Sequence, residues 1–311
     1  MKKLLFLLLI FSFFGLAAFA QASQRVLVVI AHPDDESVLS VTLYKLAKEQ
    51  QVKVDLFVIT NGEAGYKYST LAEQYYGCPL TNQAAARKNL PAIRKKELRE
   101  AGKILGLNHI FYGNQHDSHF SLNEHEPLDT SWNVLAVKKQ LNHVLVHGHY
   151  DEVLCLLPEQ STHGGHKAAT LLALEAVSEL PVSSRPLILG AALRDKGDTS
   201  IKFNQLKNYD LTRTIKDGPS FTVDRTVSFG YGNKTNYKIV ANWELAAHKS
   251  QGATEMTMND GDLEEFWLFA LNLPGSENIA TKLFTNLSRS PYSTGEPDTG
   301  QLASRSKKDK D

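Results

Sequence analysis

The sequence predicts an α/β fold, namely a Rossmann-like, mostly parallel sheet with helices on both faces, in a single domain. Short apolar or β-branched runs alternate with helical patterns, which is typical of a parallel sheet. The predicted strands are 25–31, 52–60, 109–113 and 152–158. The first and fourth runs are almost continuously apolar, as expected for strands covered on both faces. A chain of 311 residues with 42% hydrophobic content can also bury a substantial core.

The predicted helices follow from apolar residues spaced three and four positions apart. In the first half they cover 37–51, 93–107, the region 131–147, and 165–180. We expect Pro91 to lie in the first turn of the second of these helices. Beyond residue 185, short strands mix with further predicted helices at 237–251, 262–273 and 278–289. No clear linker separates the two halves, so one domain over residues 24–290 is expected.

The N-terminus has the pattern of a signal peptide over residues 1–20. Lys2 and Lys3 precede an uncharged apolar block, 4–20, that ends in small residues around Phe19. This predicts an exported protein, periplasmic or secreted, with no stable membrane insertion after cleavage. The alternative is an uncleaved membrane anchor, because the block just reaches the roughly 17 residues that a spanning helix needs. At the other end, the charged, polar residues 291–311 are predicted to be a disordered tail.

Charge and cysteine content limit the partners. Lys plus Arg and Asp plus Glu both total 34, which gives no net-charge argument for nucleic acid or an anionic membrane. A small-molecule or glycan substrate is compatible with this charge balance, and the oligomeric state is not predictable. Export would allow Cys78 and Cys155 to pair. However, Cys155 lies in the apolar run VLCLL and is interpreted as a buried thiol, so we favour no disulfide.

The segment 61–86 is longer than most connections between a strand and a helix, and it contains four tyrosines. It is either a surface excursion or an aromatic lid beside the strand ends, where a tyrosine ring would stack on a sugar. The sequence favours neither interpretation over the other.

The motif AHPDDE, residues 31–36, follows the first strand directly. Pro33 favours an extended turn, so His32 and Asp35 can converge while Asp34 points elsewhere. An imidazole, a carboxylate and a second, free carboxylate suit a divalent metal ion with an acid that handles the proton of water. The alternative is that an aspartate only caps the helix expected to begin near Ser37. Capping does not explain a histidine and two aspartates at a strand end, where open α/β sheets bind ligands.

The motif STHGGHKAA, residues 161–169, follows the fourth strand and places His163 and His166 at a helix start. Taken alone it is an ordinary glycine-rich helix start. Together with His32 and Asp35, one of the two imidazoles would complete three protein ligands and leave a position for water.

These motifs, with 93–107 between them and LAAHKSQ (245–251) after them, resemble the LmbE/PIG-L family of zinc-dependent N-acetylglucosamine deacetylases. The resemblance covers most of residues 25–180. It implies that one Zn2+ per chain, with Fe2+ or Co2+ as alternatives, activates a water that removes an acetyl group from an N-acetylated sugar. The implied metal ligands are His32, Asp35 and His166. The implied catalytic residues are Asp34 as general base and His163, which faces the oxyanion and can protonate the leaving amine.

The resemblance also implies that Arg94 and Asp117 contact the sugar or its substituent. Here the chain departs from the family pattern, because Asp117-Ser118 replaces Asp-Gly and HGGH replaces the commoner HPDH. The alternative for Arg94 is a solvated charge on a helix. His116, Asp117 and His119 form a rival cluster that could bind a metal.

Two other functions remain open at this stage. One is a metal-dependent hydrolase of another bond, such as a phosphoester, which usually requires two ions. The other is a non-catalytic carbohydrate-binding protein with the same fold.

Overall fold

The computed structural model describes residues 24–292, and its centre is a seven-stranded, mostly parallel sheet. The strands are β1 (Arg25–Ile30), β2 (Lys53–Thr60), β3 (His109–Gln115), β4 (Glu152–Leu156), β5 (Leu187–Arg194), β6 (Phe221–Asp224), β7 (Ser228–Phe229), β8 (Thr235–Asn236) and β9 (Leu263–Leu268). The order in the sheet is β3-β2-β1-β4-β5-β9-β6, and β7 pairs only with β8. This confirms the predicted α/β class. The predicted signal peptide and residues 293–311 of the predicted tail lie outside the described residues.

The order in which successive strands are added to the sheet reverses between β1 and β4. Strands β1, β2 and β3 extend to one side, whereas β4 and β5 extend to the other, all in parallel. The carboxyl ends of β1 and β4 therefore meet at the switch point, where open α/β sheets bind their ligands. The sequence leaving each of these strands is the one that contains a histidine motif.

Both faces of the sheet are covered. Along β1, Val26, Val28 and Ile30 pack into one apolar cluster, and Leu27 and Val29 pack into another on the opposite face. The helices are α1 (Ser40–Tyr44), α2 (Ala72–Tyr76), α3 (Gln83–Leu105), α4 (Val134–Gly148), α5 (Gly164–Glu179), α6 (Lys238–Leu245), α7 (Gly252–Glu255) and α8 (Ser276–Leu287). Helices α3, α6 and α8 contribute to the first cluster, and α4 and α5 contribute to the second. The predicted helix 37–51 is α1 flanked by a 3-10 turn (Asp35–Leu39) and a π turn (Lys45–Glu49).

The prediction for Pro91 was wrong. Helix α3 begins at Gln83, where the Asn82 side chain accepts a hydrogen bond from Ala85 N, so Pro91 lies in the interior. The extra turns are stabilised by a separate apolar cluster in which Ala86 and Leu90 pack with Leu80. That burial offsets the cost of about 3 kcal/mol that an internal proline imposes on a helix.

The prediction of a helix at 262–273 was also wrong, because this segment contains β9, which pairs antiparallel with β5 and β6. All six residues of β9 are buried, including two glutamates. Glu264 pairs with Arg225, and Glu265 pairs with Arg194. Because these charges are neutralised by distant partners, the run is compatible with a central strand although its local pattern is that of a helix.

Two smaller features complete the fold. Both cysteines lie within the described residues and are unpaired, with Cys155 buried in β4. Within residues 24–292, no helix has both the length and the apolar character that crossing a membrane requires.

Candidate metal and catalytic centre

The turn after β1 separates its two aspartates by giving them different partners. The Asp35 carboxylate accepts hydrogen bonds from the backbone N–H groups of Ala31 (3.0 Å) and His32 (2.8 Å), which fixes it against the strand end. Asp34 instead contacts Arg94 and Thr254. Its backbone has φ 147° and ψ −12°, a conformation that residues with a side chain rarely adopt. The sequence prediction that these carboxylates point apart is consistent with this geometry.

Three imidazoles gather beside Asp35 at the switch point. His166 Nε2 lies 3.0 Å and His32 Nδ1 lies 3.4 Å from the Asp35 carboxylate. His163 is the N-cap residue of α5 and His166 lies in its first turn. One ring nitrogen each of His32, His163 and His166 can be chosen so that all three lie within 4.8 Å of one another.

This donor set fits a divalent transition metal. Imidazole nitrogens and a carboxylate are ligands that zinc, iron and cobalt accept. The buried His163 Nδ1 has no hydrogen-bond partner among the described residues, so one polar atom next to this donor set is unsatisfied. The predicted ligands His32, Asp35 and His166 all belong to this donor set, and the choice of these three over His163 stays a prediction.

Burial and neighbouring charges shift the pKa values of these groups in opposite directions. Burial alone would lower the pKa of His32, but Asp35 and Asp117 together raise it to about 9. Burial would raise the pKa of Asp35, but His166 and His32 hold it well below its usual range. Burial and the two neighbouring histidines lower the pKa of His163 to about 3, so its ring is neutral at pH 7.

Arg94 braces Asp34. Its side chain is only 3% exposed, and one guanidinium nitrogen donates to Asp34 Oδ1 at 2.7 Å. The other hydrogen bonds of Arg94 go to the backbone carbonyls of Pro33 and Gly62. The alternative of a solvated charge is therefore wrong. Arg94 also borders a cavity at this site. A contact between Arg94 and a substrate stays a prediction.

A cavity of about 260 Å³ opens above this cluster. Its walls come from the ends of β1 and β4, the segment after β2, the loop after β3, and the segment around α7. The polar residues that line it are His32, Asp34, Asp35, Arg94, Asp117, His163, His166, Gln251 and Thr254. The cavity thus collects the seven predicted site residues and adds two from beyond residue 250.

Asp117 lies deep in the cavity rather than at its rim. It is 7% exposed, with Oδ1 3.9 Å from His32 Nε2 and Oδ2 accepting from Ala64 N. The rival cluster around it is not assembled, because His116 pairs with Glu63 and His119 hydrogen-bonds Ser118. The role of Asp117 as a substrate contact stays a prediction.

Two aromatic side chains lie at the cavity mouth, and sequence reasoning singled out only one of them. Tyr68 comes from the segment 61–86 and is 57% exposed. Phe120 is 73% exposed, and its ring stacks on His163 with centroids 5.0 Å apart. The first part of the segment 61–86 packs on the HKSQ motif, since a Cβ at Gly65 would lie 2.1 Å from Gln251 Oε1. This stretch is therefore a wall of the cavity, and whether it opens as a lid stays a prediction.

A buried ionic network behind the site was missed. Glu36, the last residue of the AHPDDE motif, is fully buried and lies 2.8 Å from His248 Nε2. His248, in the HKSQ motif, also lies 3.2 Å from Glu244. This network ties the turn containing Asp34 and Asp35 to the C-terminal half. The only sequence signal for it was the histidine within that motif.

Residues 27–177 match the PIG-L family, described as GlcNAc-PI de-N-acetylase. A probable N-acetyl-alpha-D-glucosaminyl L-malate deacetylase 2 of Bacillus cereus is 28% identical over 170 residues, which cover 55% of this chain and 68% of that protein. The protein of the same description from Bacillus anthracis is 27% identical over 185 residues, which cover 60% and 73%. Among solved structures, the N,N'-diacetylchitobiose deacetylase from Pyrococcus horikoshii aligns with a TM-score of 0.49 and 19% identity, over 81% of this chain and 86% of that one.

Proposed function

The chain belongs to the PIG-L family through residues 27–177, and from that premise we propose that it removes the acetyl group from an N-acetylated sugar by metal-dependent hydrolysis. One observation carries the proposal. Within one cavity, Asp35 is grouped with His32 and His166, whereas the neighbouring Asp34 is kept apart by its own partners. One carboxylate is therefore available to hold an ion and the other to move a proton.

We propose that His32, Asp35 and His166 hold a single divalent ion, with zinc as the first choice and iron or cobalt as alternatives. Such an ion polarises a carbonyl oxygen and lowers the pKa of water toward about 7. Asp34 accepts the proton of the attacking water as the C–O bond forms. The C–N bond then breaks, and the same proton passes from Asp34 to the amine nitrogen. The products are acetate and the free amino sugar.

His163 lies beside His32 and His166, with its ring stacked on Phe120 at the cavity. We propose that it donates to the carbonyl oxygen as negative charge develops there. The proton for the amine is then delivered by Asp34.

The cavity mouth supports a sugar as the substrate. The exposed rings of Phe120 and Tyr68 border the polar cavity, and aromatic faces pack against the C–H faces of sugar rings. The two Bacillus relatives are named for an N-acetylglucosaminyl substrate. We propose an N-acetylglucosamine-type glycan or glycoconjugate for this chain. We also propose export of the protein, since residues 1–20 have the pattern of a signal peptide, and hence a substrate outside the cytoplasm.

The test is acetate release from a panel of N-acetylated glycans by the mature, metal-loaded protein. Release from at least one sugar, with about one metal ion per chain, supports the proposal. Phosphoester hydrolysis with about two ions per chain would favour the phosphoesterase alternative. Tight glycan binding without release of any acetate would favour the non-catalytic alternative.

A further inference from the structure

The Asp34 carboxylate is held from two sides by side chains that are far apart in the sequence. Arg94 donates to Oδ1 and Thr254 Oγ1 donates to Oδ2, each at 2.7 Å. The backbone of Asp34 has φ 147°, which a residue with a side chain adopts only when its surroundings enforce it. The direction of this carboxylate therefore depends on its two donors rather than on backbone preference.

Thr254 is itself well anchored. It belongs to α7, which follows the buried residues Ser250 and Gln251. Ser250 donates two hydrogen bonds to Glu97, through its backbone N–H and its hydroxyl. At the start of α7, Gly252 packs so closely on the segment after β2 that a Cβ would lie 2.8 Å from Tyr68 O. The hydroxyl of Thr254 is thus delivered to Asp34 from a fixed support.

We propose that Thr254 is a positioning residue that orients the general base Asp34, an inference that rests on the function proposed above. A hydrogen bond from a neutral hydroxyl to a carboxylate is charge-assisted and directional. Each carboxylate oxygen has two lone pairs, so Asp34 can accept from Thr254 and still accept from the attacking water. Thr254 lies outside residues 27–177, so the site depends on a residue beyond the matched family segment.

Thr254→Val tests this, because valine keeps the shape and loses the donor. Small errors in the position of a catalytic group can cost about 100-fold in rate. We expect kcat for acetate release to fall by about 10- to 100-fold, with KM within about twofold and metal content unchanged. Thr254→Ser should recover most of kcat. Thr222→Val is the matched control, since Thr222 is exposed on β6, and it should leave both constants unchanged.

The Asp34→Asn background separates positioning from other roles. In that background, Thr254→Val should change the residual kcat by less than about twofold, because the carboxylate that Thr254 orients has been replaced by an amide that accepts no proton. In the metal-free protein, the shifts in urea midpoint caused by Thr254→Val and Asp34→Asn should likewise be non-additive.

Three results would overturn the inference. The first is an unchanged kcat and KM for Thr254→Val. The second is a raised KM with unchanged kcat, which would make Thr254 a substrate contact. The third is strict additivity between the effects of Thr254→Val and Asp34→Asn. Failure of the wild-type protein to release acetate from any sugar would refute the proposed function instead. In that case the urea measurements still decide whether Thr254 and Asp34 are coupled.

Discussion

Replacing Arg94 with methionine should lower the free energy of unfolding by about 3–5 kcal/mol. The side chains of Arg94 and Asp34 are 3% and 13% exposed, so both charges are largely removed from water. Removing one partner of a buried ion pair leaves the other uncompensated, which costs about 3–5 kcal/mol. Methionine has a similar length and good helix propensity, so the loss reports on the guanidinium and its hydrogen bonds rather than on α3 itself.

Urea denaturation followed by circular dichroism measures this change. The urea concentration at the unfolding midpoint should be lower for Arg94→Met, while the dependence of the unfolding free energy on urea concentration stays constant. Lys96→Met is the control, since Lys96 is exposed two residues further along α3, and its effect should be within about 0.5 kcal/mol. A loss of less than about 1 kcal/mol for Arg94→Met, together with a raised KM, would refute the bracing role and make Arg94 a substrate contact.

Three further predictions concern a remote carboxyl group, the cavity mouth and the metal. Burial raises the pKa of Glu152 from 4.5 to about 7, so the folded state retains a proton that the unfolded state loses, and stability falls as pH rises through this window. In urea titrations of the wild-type protein, the free energy of unfolding should fall by about 3 kcal/mol between pH 4.5 and 7.5, and Glu152→Gln should remove this fall. The same pH dependence in both proteins would contradict the prediction. Phe120→Ala should raise KM by about 2- to 10-fold with kcat nearly constant, whereas a fall in kcat alone would indicate that Phe120 acts through His163. Dialysis against a chelator should abolish acetate release and lower the melting temperature, and adding Zn2+, Fe2+ or Co2+ should restore both; activity that survives complete metal removal would contradict the metal requirement.

The sequence predicted the parts of the fold and site that depend on local pattern. The strand ending before His32 and the strand ending before His163 are apolar runs followed directly by polar motifs. Because parallel strands align their carboxyl ends at a switch point, proximity of the two motifs follows from the fold class alone. In the structure, His32, Asp35 and His166 do lie together.

The parts that were missed depend on partners distant in the chain. Thr254 lies 220 positions from Asp34, and a single threonine in a short helix has no distinguishing sequence signal. His248 pairs with Glu36 across 212 positions, so the local sequence around Glu36 does not indicate that this acid is buried and paired. The error at β9 has the same origin, since the buried Glu264 is stabilised by partners distant in the chain, namely Arg225 and the backbone N–H groups of Val41 and Thr42.

Metal content and acetate release of the Asp34→Asn variant together test whether Asp34 acts as the general base without binding the metal. The amide that this substitution introduces keeps a similar shape and can still meet Thr254, but it cannot accept the proton of water. For Asp34→Asn, the metal content per chain should stay at the wild-type level while kcat falls by at least about 100-fold. Loss of metal together with activity would show that Asp34 is a ligand, and retention of both would show that another group is the base.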